Sequence, residues 1–168
     1  MPAGLKQTSA VVPIGFNVAE TAANTFTQGQ VDLNLSPLDR EVFVVLAVNL
    51  DSDVPDTIAA TNTAVRAALT STSQTAMPSL ADSNCMARLS HFTRADAAMA
   101  VGYSSQALET PPSTLEYIGI IATNDFFVQV EGTNNTGLKG VSGKLYGYRA
   151  IATADIYAAL VQSEVLSA

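Results

Sequence analysis

The chain has 168 residues, of which 15 are acidic and 8 are basic, so its formal net charge is −7. Disordered chains combine low hydrophobicity with high net charge, and this chain is 48% hydrophobic and only 14% charged. We therefore expect a folded chain, and its length suits one domain. The acidic balance argues against a nucleic-acid-binding surface.

Cysteine and histidine counts exclude two further classes of protein. The chain has one cysteine, Cys85, and one histidine, His91. An internal disulfide and a Cys/His zinc site are therefore both excluded. The best apolar run, 42–50, is too short for a membrane-spanning helix, which needs about 20 residues. The N-terminus has no apolar segment typical of a signal peptide, so none is expected.

Small neutral residues dominate the composition. Ala, Thr, Ser and Asn account for 66 of the 168 residues. Residues 1–29 carry few charges, and we predict that they form an extended N-terminal arm. We predict that residues 30–168 form a single β-sandwich domain.

Predicted elements follow the arm in chain order. Val31, Leu33 and Leu35 alternate with polar residues, which is typical of a strand with one buried face. The run 42–50 is rich in β-branched residues and predicts a strand covered on both faces. Residues 56–69 follow a proline and carry apolar residues near one stripe, which predicts a helix. Further strands are predicted at 86–93, 97–104 and 115–122, with a break at Pro111-Pro112.

The last third of the chain predicts more strands and one more helix. The turn at 123–125 predicts a hairpin between the strand at 115–122 and a strand at 126–131. A strand at 144–152 follows, and Thr153 is a suitable N-cap for a helix at 154–166. The whole pattern predicts a mainly β protein, an antiparallel two-sheet sandwich or barrel, with two short helices at 56–69 and 154–166. Seven or eight strands at this spacing fit a single jelly roll.

Cys85 and His91 are the residues most suited to nucleophilic catalysis. They are six apart, so on one strand they would lie roughly 20 Å apart, beyond hydrogen-bond reach. No serine lies in a Gly-x-Ser-x-Gly motif. We therefore predict no catalytic residue, no cofactor and no enzymatic activity.

Asp51, Asp53 and Asp56 form the densest acidic cluster in the sequence. Calcium takes several carboxylate and carbonyl oxygens, so these three residues are the candidate metal ligands. The alternative is a structural turn in which Asp56 caps a following helix.

In its length, strand count, N-terminal arm and composition, the chain resembles small viral coat proteins of the single jelly-roll kind. The resemblance covers the whole chain and implies a capsid subunit that assembles with copies of itself in a virion. Many such proteins carry a basic arm that neutralises the genome, but the arm here has Lys6 as its only basic residue. Direct nucleic-acid contact is therefore not expected. Either the genome is neutralised elsewhere, or a second capsid protein or an internal membrane separates the shell from the genome.

Under this interpretation the first residues of the chain contact neighbouring subunits. The candidate interface residues are Phe16, Phe26 and Thr27. Two alternatives stay open: a decoration, tail or pilus-like subunit, and a sandwich that binds a small ligand or a carbohydrate. The second alternative would use Tyr103, Tyr117 or the Asp51–Asp56 loop as its site.

Overall fold

The computed structural model describes residues 2–98, 101–107 and 115–167. In these residues the fold is mainly β, with ten strands and one helix. The elements are β1 (Leu5–Gln7), β2 (Val12–Ala19), β3 (Thr27–Asp32), β4 (Glu41–Ser52), β5 (Thr63–Thr70), β6 (Cys85–Ala95), β7 (Val101–Ala107), β8 (Gly119–Ile121), β9 (Asp125–Thr133), β10 (Gly140–Ala152) and α1 (Ala154–Ser167).

The strands form two antiparallel sheets. In sheet A, β4 lies between β10 and β8, and the other side of β10 pairs with β1 and β2. In sheet B the order is β3, β9, β5, β6 and β7. The two-sheet antiparallel architecture predicted from the sequence is confirmed.

Strand pairing in the two sheets is nested. β5 pairs with β6, β4 with β8, β3 with β9, and β2 with β10, all antiparallel. The first half of the chain therefore pairs with the second half in reverse order. As a result, the connections 20–26, 53–62 and 134–139 lie together at one end of the sandwich, which we call the loop end.

The main core lies between the two sheets. Apolar side chains from alternate positions of both sheets meet there, because successive residues of a strand point to opposite faces. Its largest fully buried members include Phe43 and Leu145 from sheet A, and Leu69 and Phe126 from sheet B. Burial of such a side chain contributes about 1.5–3 kcal/mol, so this layer holds the sheets together.

The helix predicted at 56–69 is wrong. Residues Thr63–Thr70 form β5, a strand with neighbours on both sides in sheet B. Seven of its eight residues are buried, and only Arg66 is partly exposed. A strand covered on both faces shows no alternation of polar and apolar residues, so its alanines and apolar residues also fit a helical period. Pairing with β6 and β9 decides the conformation.

The hairpin predicted around residues 123–125 is also wrong. β8 pairs with β4 in sheet A, whereas β9 pairs with β3 and β5 in sheet B. The turn therefore carries the chain from one sheet to the other. A turn motif predicts a change of direction, but it does not fix which strand becomes the partner. The Pro111-Pro112 break lies outside the described residues.

The N-terminal segment that was predicted as an extended arm has an extended backbone and pairs with β10 of the same chain. Residues 5–7 pair with 150–152 of β10, and residues 12–19 pair with 140–147. Between the two strands, the Thr8 N–H donates to the carbonyl of Arg149 at 2.8 Å. Residues 5–19 are thus the edge of sheet A in this structure.

Helix α1 confirms the helix predicted at 154–166. It packs Ile156, Tyr157 and Leu160 on the outer face of sheet A, over a second apolar cluster that includes Val42 and Val44. It has 14 residues. Among the described residues, no helix is long and apolar enough to cross a membrane.

Candidate functional site

A buried carboxylate organises the loop end of the sandwich. Glu20 follows β2 directly and is 3% exposed. Its two carboxylate oxygens accept hydrogen bonds from the backbone N–H groups of Gly132 at 2.7 Å, Lys139 at 2.9 Å and Thr25 at 3.0 Å. A buried carboxylate is tolerated when it is hydrogen-bonded in this way. Glu20 therefore fastens the connection 20–26 to the end of β9 and to the last residue before β10.

Asn135 continues the same network toward the third loop. It is buried, and its side chain donates to the carbonyl of Ala64 at 2.9 Å and accepts from the N–H of Asp56 at 2.9 Å. Asn24 makes reciprocal hydrogen bonds with the backbone of Asn135. Asn24 has φ +60°, a left-handed conformation that Asn tolerates better than most residues. Asn24 and Asn135 therefore link all three connections of the loop end by hydrogen bonds.

The three candidate calcium ligands lie at this end but engage other partners. The Asp56 carboxylate contacts the Lys139 ammonium at 2.6 Å and accepts from the hydroxyl and the N–H of Thr136, both at 2.8 Å. These contacts, the Lys139 hydrogen bond first, hold the pKa of Asp56 well below its usual range. Asp53 accepts from the N–H of Gly140 at 2.7 Å, and Asp51 is exposed on β4.

A cation at this cluster would have to displace the Lys139 ammonium from Asp56. Calcium usually takes six to eight oxygen ligands. Within the ranges that the structure describes, no group of three or more His, Cys, Asp or Glu residues could hold a metal ion. The alternative interpretation, a structural turn, agrees with the hydrogen bonds of Asp53 and Asp56, although no helix follows Asp56.

The three candidate interface residues lie around the β2–β3 connection. Phe16 points into the sandwich, and its ring contacts Phe126 edge-on at a centroid distance of 6.0 Å. Phe26 is half-buried just before β3. Thr27 begins β3 opposite Val130, and its hydroxyl accepts from the Thr21 N–H at 3.1 Å. The structure thus places Phe16 in intrachain packing, whereas the surface role of Phe26 and Thr27 stays a prediction.

Cys85 and His91 both lie on β6, which begins one residue before the strand predicted at 86–93. Cys85 lines a cavity of about 180 Å³ together with Asn84, Met86, Leu160 and Glu164. Burial raises the pKa of the Cys85 thiol, so its reactive thiolate is disfavoured. This environment suits a packed cysteine and gives no support to a nucleophile.

Glu164 anchors the far end of α1, opposite the loop end. Its carboxylate accepts from the N–H groups of Ala122 at 3.1 Å and Thr123 at 2.8 Å. Burial raises its pKa despite these hydrogen bonds. Sequence reasoning missed both Glu20 and Glu164. The sequence feature that could have identified them is their surroundings, since each is the one acidic residue in an otherwise apolar or neutral segment.

Two surface features could contact other molecules. The first is the outer edge of β2, which among the described residues pairs only with β10 and so has one free edge; β2 has eight residues and no charged side chain. The second is a shallow groove of about 320 Å³ on sheet A, lined by residues that include Asn49, Asp51 and Lys144. The Tyr103 side chain lies outside the described part of the chain, and Tyr117 packs against the cluster under α1.

Gly143 forms part of the groove wall and is required there by packing. A Cβ at this position would overlap the carbonyl oxygen of Asn49 and would lie 2.7 Å from Cζ of Phe16. By contrast, a Cβ at Gly137, in the loop before β10, would meet nothing within 4 Å. Gly143 therefore lets the Phe16 ring pack tightly across β10.

No family model and no curated protein matches the chain.

Proposed function

We propose that the chain is a self-assembling structural protein, the subunit of a viral coat formed from many copies. The observation that carries the proposal is the free edge of β2. The alternatives from the sequence, a decoration, tail or pilus-like subunit, share this assembly chemistry and differ in symmetry.

An unprotected edge strand is unusual for a protein that works alone. Natural monomers block such edges with Lys, bulges or covering segments, because the unpaired N–H and C=O groups bind other strands. β2 presents Gly15, Asn17 and Ala19 as exposed residues, and Pro13 is its one blocking residue. The segment 14–19 is therefore open to pairing with a strand from another chain.

Strand order supports the coat interpretation. A jelly roll is an antiparallel ribbon of strand pairs wrapped into two sheets, and it is common in viral capsids. The nested pairing of β2–β10, β3–β9, β4–β8 and β5–β6 fits that description. Because one fold serves many functions, this support is secondary to the edge.

Surface composition supports assembly in a second way. Exposed apolar side chains are spread over the described surface, and subunit interfaces are depleted in charge at their centres. These side chains are Val11, Val12, Leu38, Val54, Leu80, Leu115, Leu138, Val165 and Leu166, from 41% to 94% exposed.

Substitution of Asn17 tests the role of the edge. Asn17→Lys places a charge on an exposed position of β2 without touching the core. We expect this variant to assemble into smaller species than the wild-type chain, as measured by size-exclusion chromatography with light scattering. Thr57→Lys adds the same charge at an exposed loop position and is the matched control. If the Asn17→Lys variant assembles into species as large as those of the wild-type chain, the edge of β2 is not the assembly contact.

The groove on sheet A favours a second candidate function, binding of a small ligand or carbohydrate. The residues that line it are mostly apolar in surface but include Asn49, Asp51 and Lys144, and a few polar groups in an apolar site can orient a bound ligand. A ligand that binds the folded chain raises its melting temperature. Simple sugars can be screened for this effect. If the wild-type chain is monomeric, and a sugar raises its melting temperature but not that of Asn49→Ala, ligand binding is favoured over assembly.

A further inference from the structure

The register of β2 determines which of its backbone groups face the free edge. Ala19 lies opposite Gly140 in β10. One residue further along, the Glu20 N–H donates to the carbonyl of Lys139 at 2.9 Å. In an antiparallel pair, hydrogen-bonded and non-hydrogen-bonded positions alternate. Even-numbered residues of β2 therefore bond to β10, and odd-numbered residues direct their N–H and C=O groups to the free edge.

Three residues offer free backbone donors along this edge: Gly15, Asn17 and Ala19. All three are exposed, and Gly15 has no side chain, so its exposed surface is backbone. In the part of the chain that the structure describes, β2 pairs with β10 alone, and no other backbone group bonds to these three residues. Unpaired N–H and C=O groups at a sheet edge are binding sites for another strand.

The next odd-numbered position on either side offers no free donor. Pro13 has no backbone N–H. The Thr21 N–H is already bound to the hydroxyl of Thr27 at 3.1 Å. The edge therefore has three free donors in a row with a gap beyond each end, and this pattern is symmetric about its centre, Asn17.

A second copy of β2 matches this pattern when the two strands run antiparallel about a two-fold axis at Asn17. Gly15 then lies opposite Ala19 of the partner subunit, and Asn17 lies opposite its own copy. Each such pair exchanges two N–H···O=C bonds, so every free donor finds an acceptor. A contact about a two-fold axis is self-complementary in this way, because the same surface serves both subunits.

Neighbouring registers leave donors missing. An axis one residue closer to the N-terminus would place Ala19 opposite Pro13, which has no N–H. An axis one residue closer to the C-terminus would place Gly15 opposite Thr21, whose N–H is engaged. The axis at Asn17 is therefore the register that uses all three free donors.

Side chains on both faces of β2 suit the same register. The Asn17 amide has both donor and acceptor groups, so it can bond to its own copy across the axis. On the inner face, Phe16 would lie opposite Val18 of the partner subunit. Both residues are partly buried in one chain, and an aromatic side chain opposite a β-branched one is a favourable cross-strand pair. β2 has no charged side chain, so the contact brings no like charges together.

We propose that β2 pairs with β2 of a second copy of this chain, antiparallel and with the two-fold axis at Asn17, so that sheet A continues from one subunit into the next. This inference rests on the proposed self-assembly, and it names the partner strand and the register of one contact.

Disulfide cross-linking tests the register. The variant is Asn17→Cys in a chain that carries Cys85→Ser, so that one thiol remains. Opposed Cα atoms at a hydrogen-bonded position lie about 5.5 Å apart, within the usual disulfide range of about 4.4–6.8 Å. Under mild oxidation we expect the main band on a non-reducing denaturing gel to move to twice the mass of the 17.5 kDa chain.

Gly15→Cys in the same background is the matched control. A Cβ at Gly15 would meet no atom closer than 4.0 Å, so the strand accepts the change. In the proposed register Gly15 and its own copy are four residues apart along the strands, roughly 14 Å, so this variant should not cross-link to itself. A mixture of Gly15→Cys with Ala19→Cys should give the covalent dimer, because these two positions are opposed.

Two outcomes would overturn the inference and leave the proposed function intact. In both, the wild-type chain assembles, but either Asn17→Cys cross-links no more than Gly15→Cys, or Gly15→Cys cross-links to itself. If Asn17→Cys cross-links but the wild-type chain stops at a dimer, this contact is supported and the coat proposal is contradicted. A monomeric wild-type chain would contradict both. If Cys85→Ser prevents folding, Cys85 is kept and the oxidised wild-type chain serves as the blank.

Discussion

Truncation of Glu20 is the sharpest test of how the loop end is held together. Glu20→Ala removes the acceptor for three backbone N–H groups. The N–H of Gly132 is buried, and an unsatisfied buried donor costs about 1–3 kcal/mol. The donors of Thr25 and Lys139 lie nearer the surface, so water replaces part of what they lose. Relief of the cost of burying the carboxylate offsets some of the total, and we expect a net loss of about 2–4 kcal/mol.

Urea unfolding measures this loss directly. The midpoint should fall while the slope stays constant, since the surface exposed on unfolding is unchanged. Glu20→Gln keeps one acceptor oxygen and should lose about half as much. Asp51→Ala removes an exposed carboxylate and is the matched control, with an expected change within about 0.5 kcal/mol. Equal midpoints for Glu20→Ala and Asp51→Ala would refute the assigned role of Glu20.

Three further predictions follow from local contacts. Gly143→Ala should destabilise the chain by about 1–3 kcal/mol in the same urea assay because its Cβ overlaps neighbouring atoms, whereas Gly137→Ala should be nearly neutral; equal effects would contradict the packing described. The lowered pKa of Asp56 stabilises the fold above the unfolded pKa of about 3.9, and this contribution should be lost as pH falls through the lower folded pKa. Acid unfolding of Asp56→Asn should therefore show a shallower pH dependence, and an unchanged profile would refute this. Alkylation of Cys85 should be slower in the folded chain than in urea, since partial burial shields the thiol and raises its pKa; equal rates would contradict this environment.

Sequence reasoning succeeded where one physical signal dominated. The β-branched run at 42–50 predicted β4, and Thr153 as an N-cap predicted α1. It failed for β5, because seven of its eight residues are buried, so residues on both faces are apolar or small and the sequence shows no period of two. It also failed at the turn 123–125, where the choice of partner strand depends on long-range packing.

Candidate sites were harder to predict than strands. The cluster of Asp51, Asp53 and Asp56 stood out in the sequence, but its ion pair depends on Lys139, which is distant along the chain. Glu20 and Glu164 did not stand out, since the backbone donors that hold them come from other strands and loops.

The absolute mass of the wild-type chain in solution tests the central claim most directly. Sedimentation equilibrium over a series from micromolar to near-millimolar concentration gives this mass without a shape assumption. Self-assembly predicts a mass that is a large multiple of the 17.5 kDa chain and that falls on dilution. A mass of 17.5 kDa across the whole series would contradict the account.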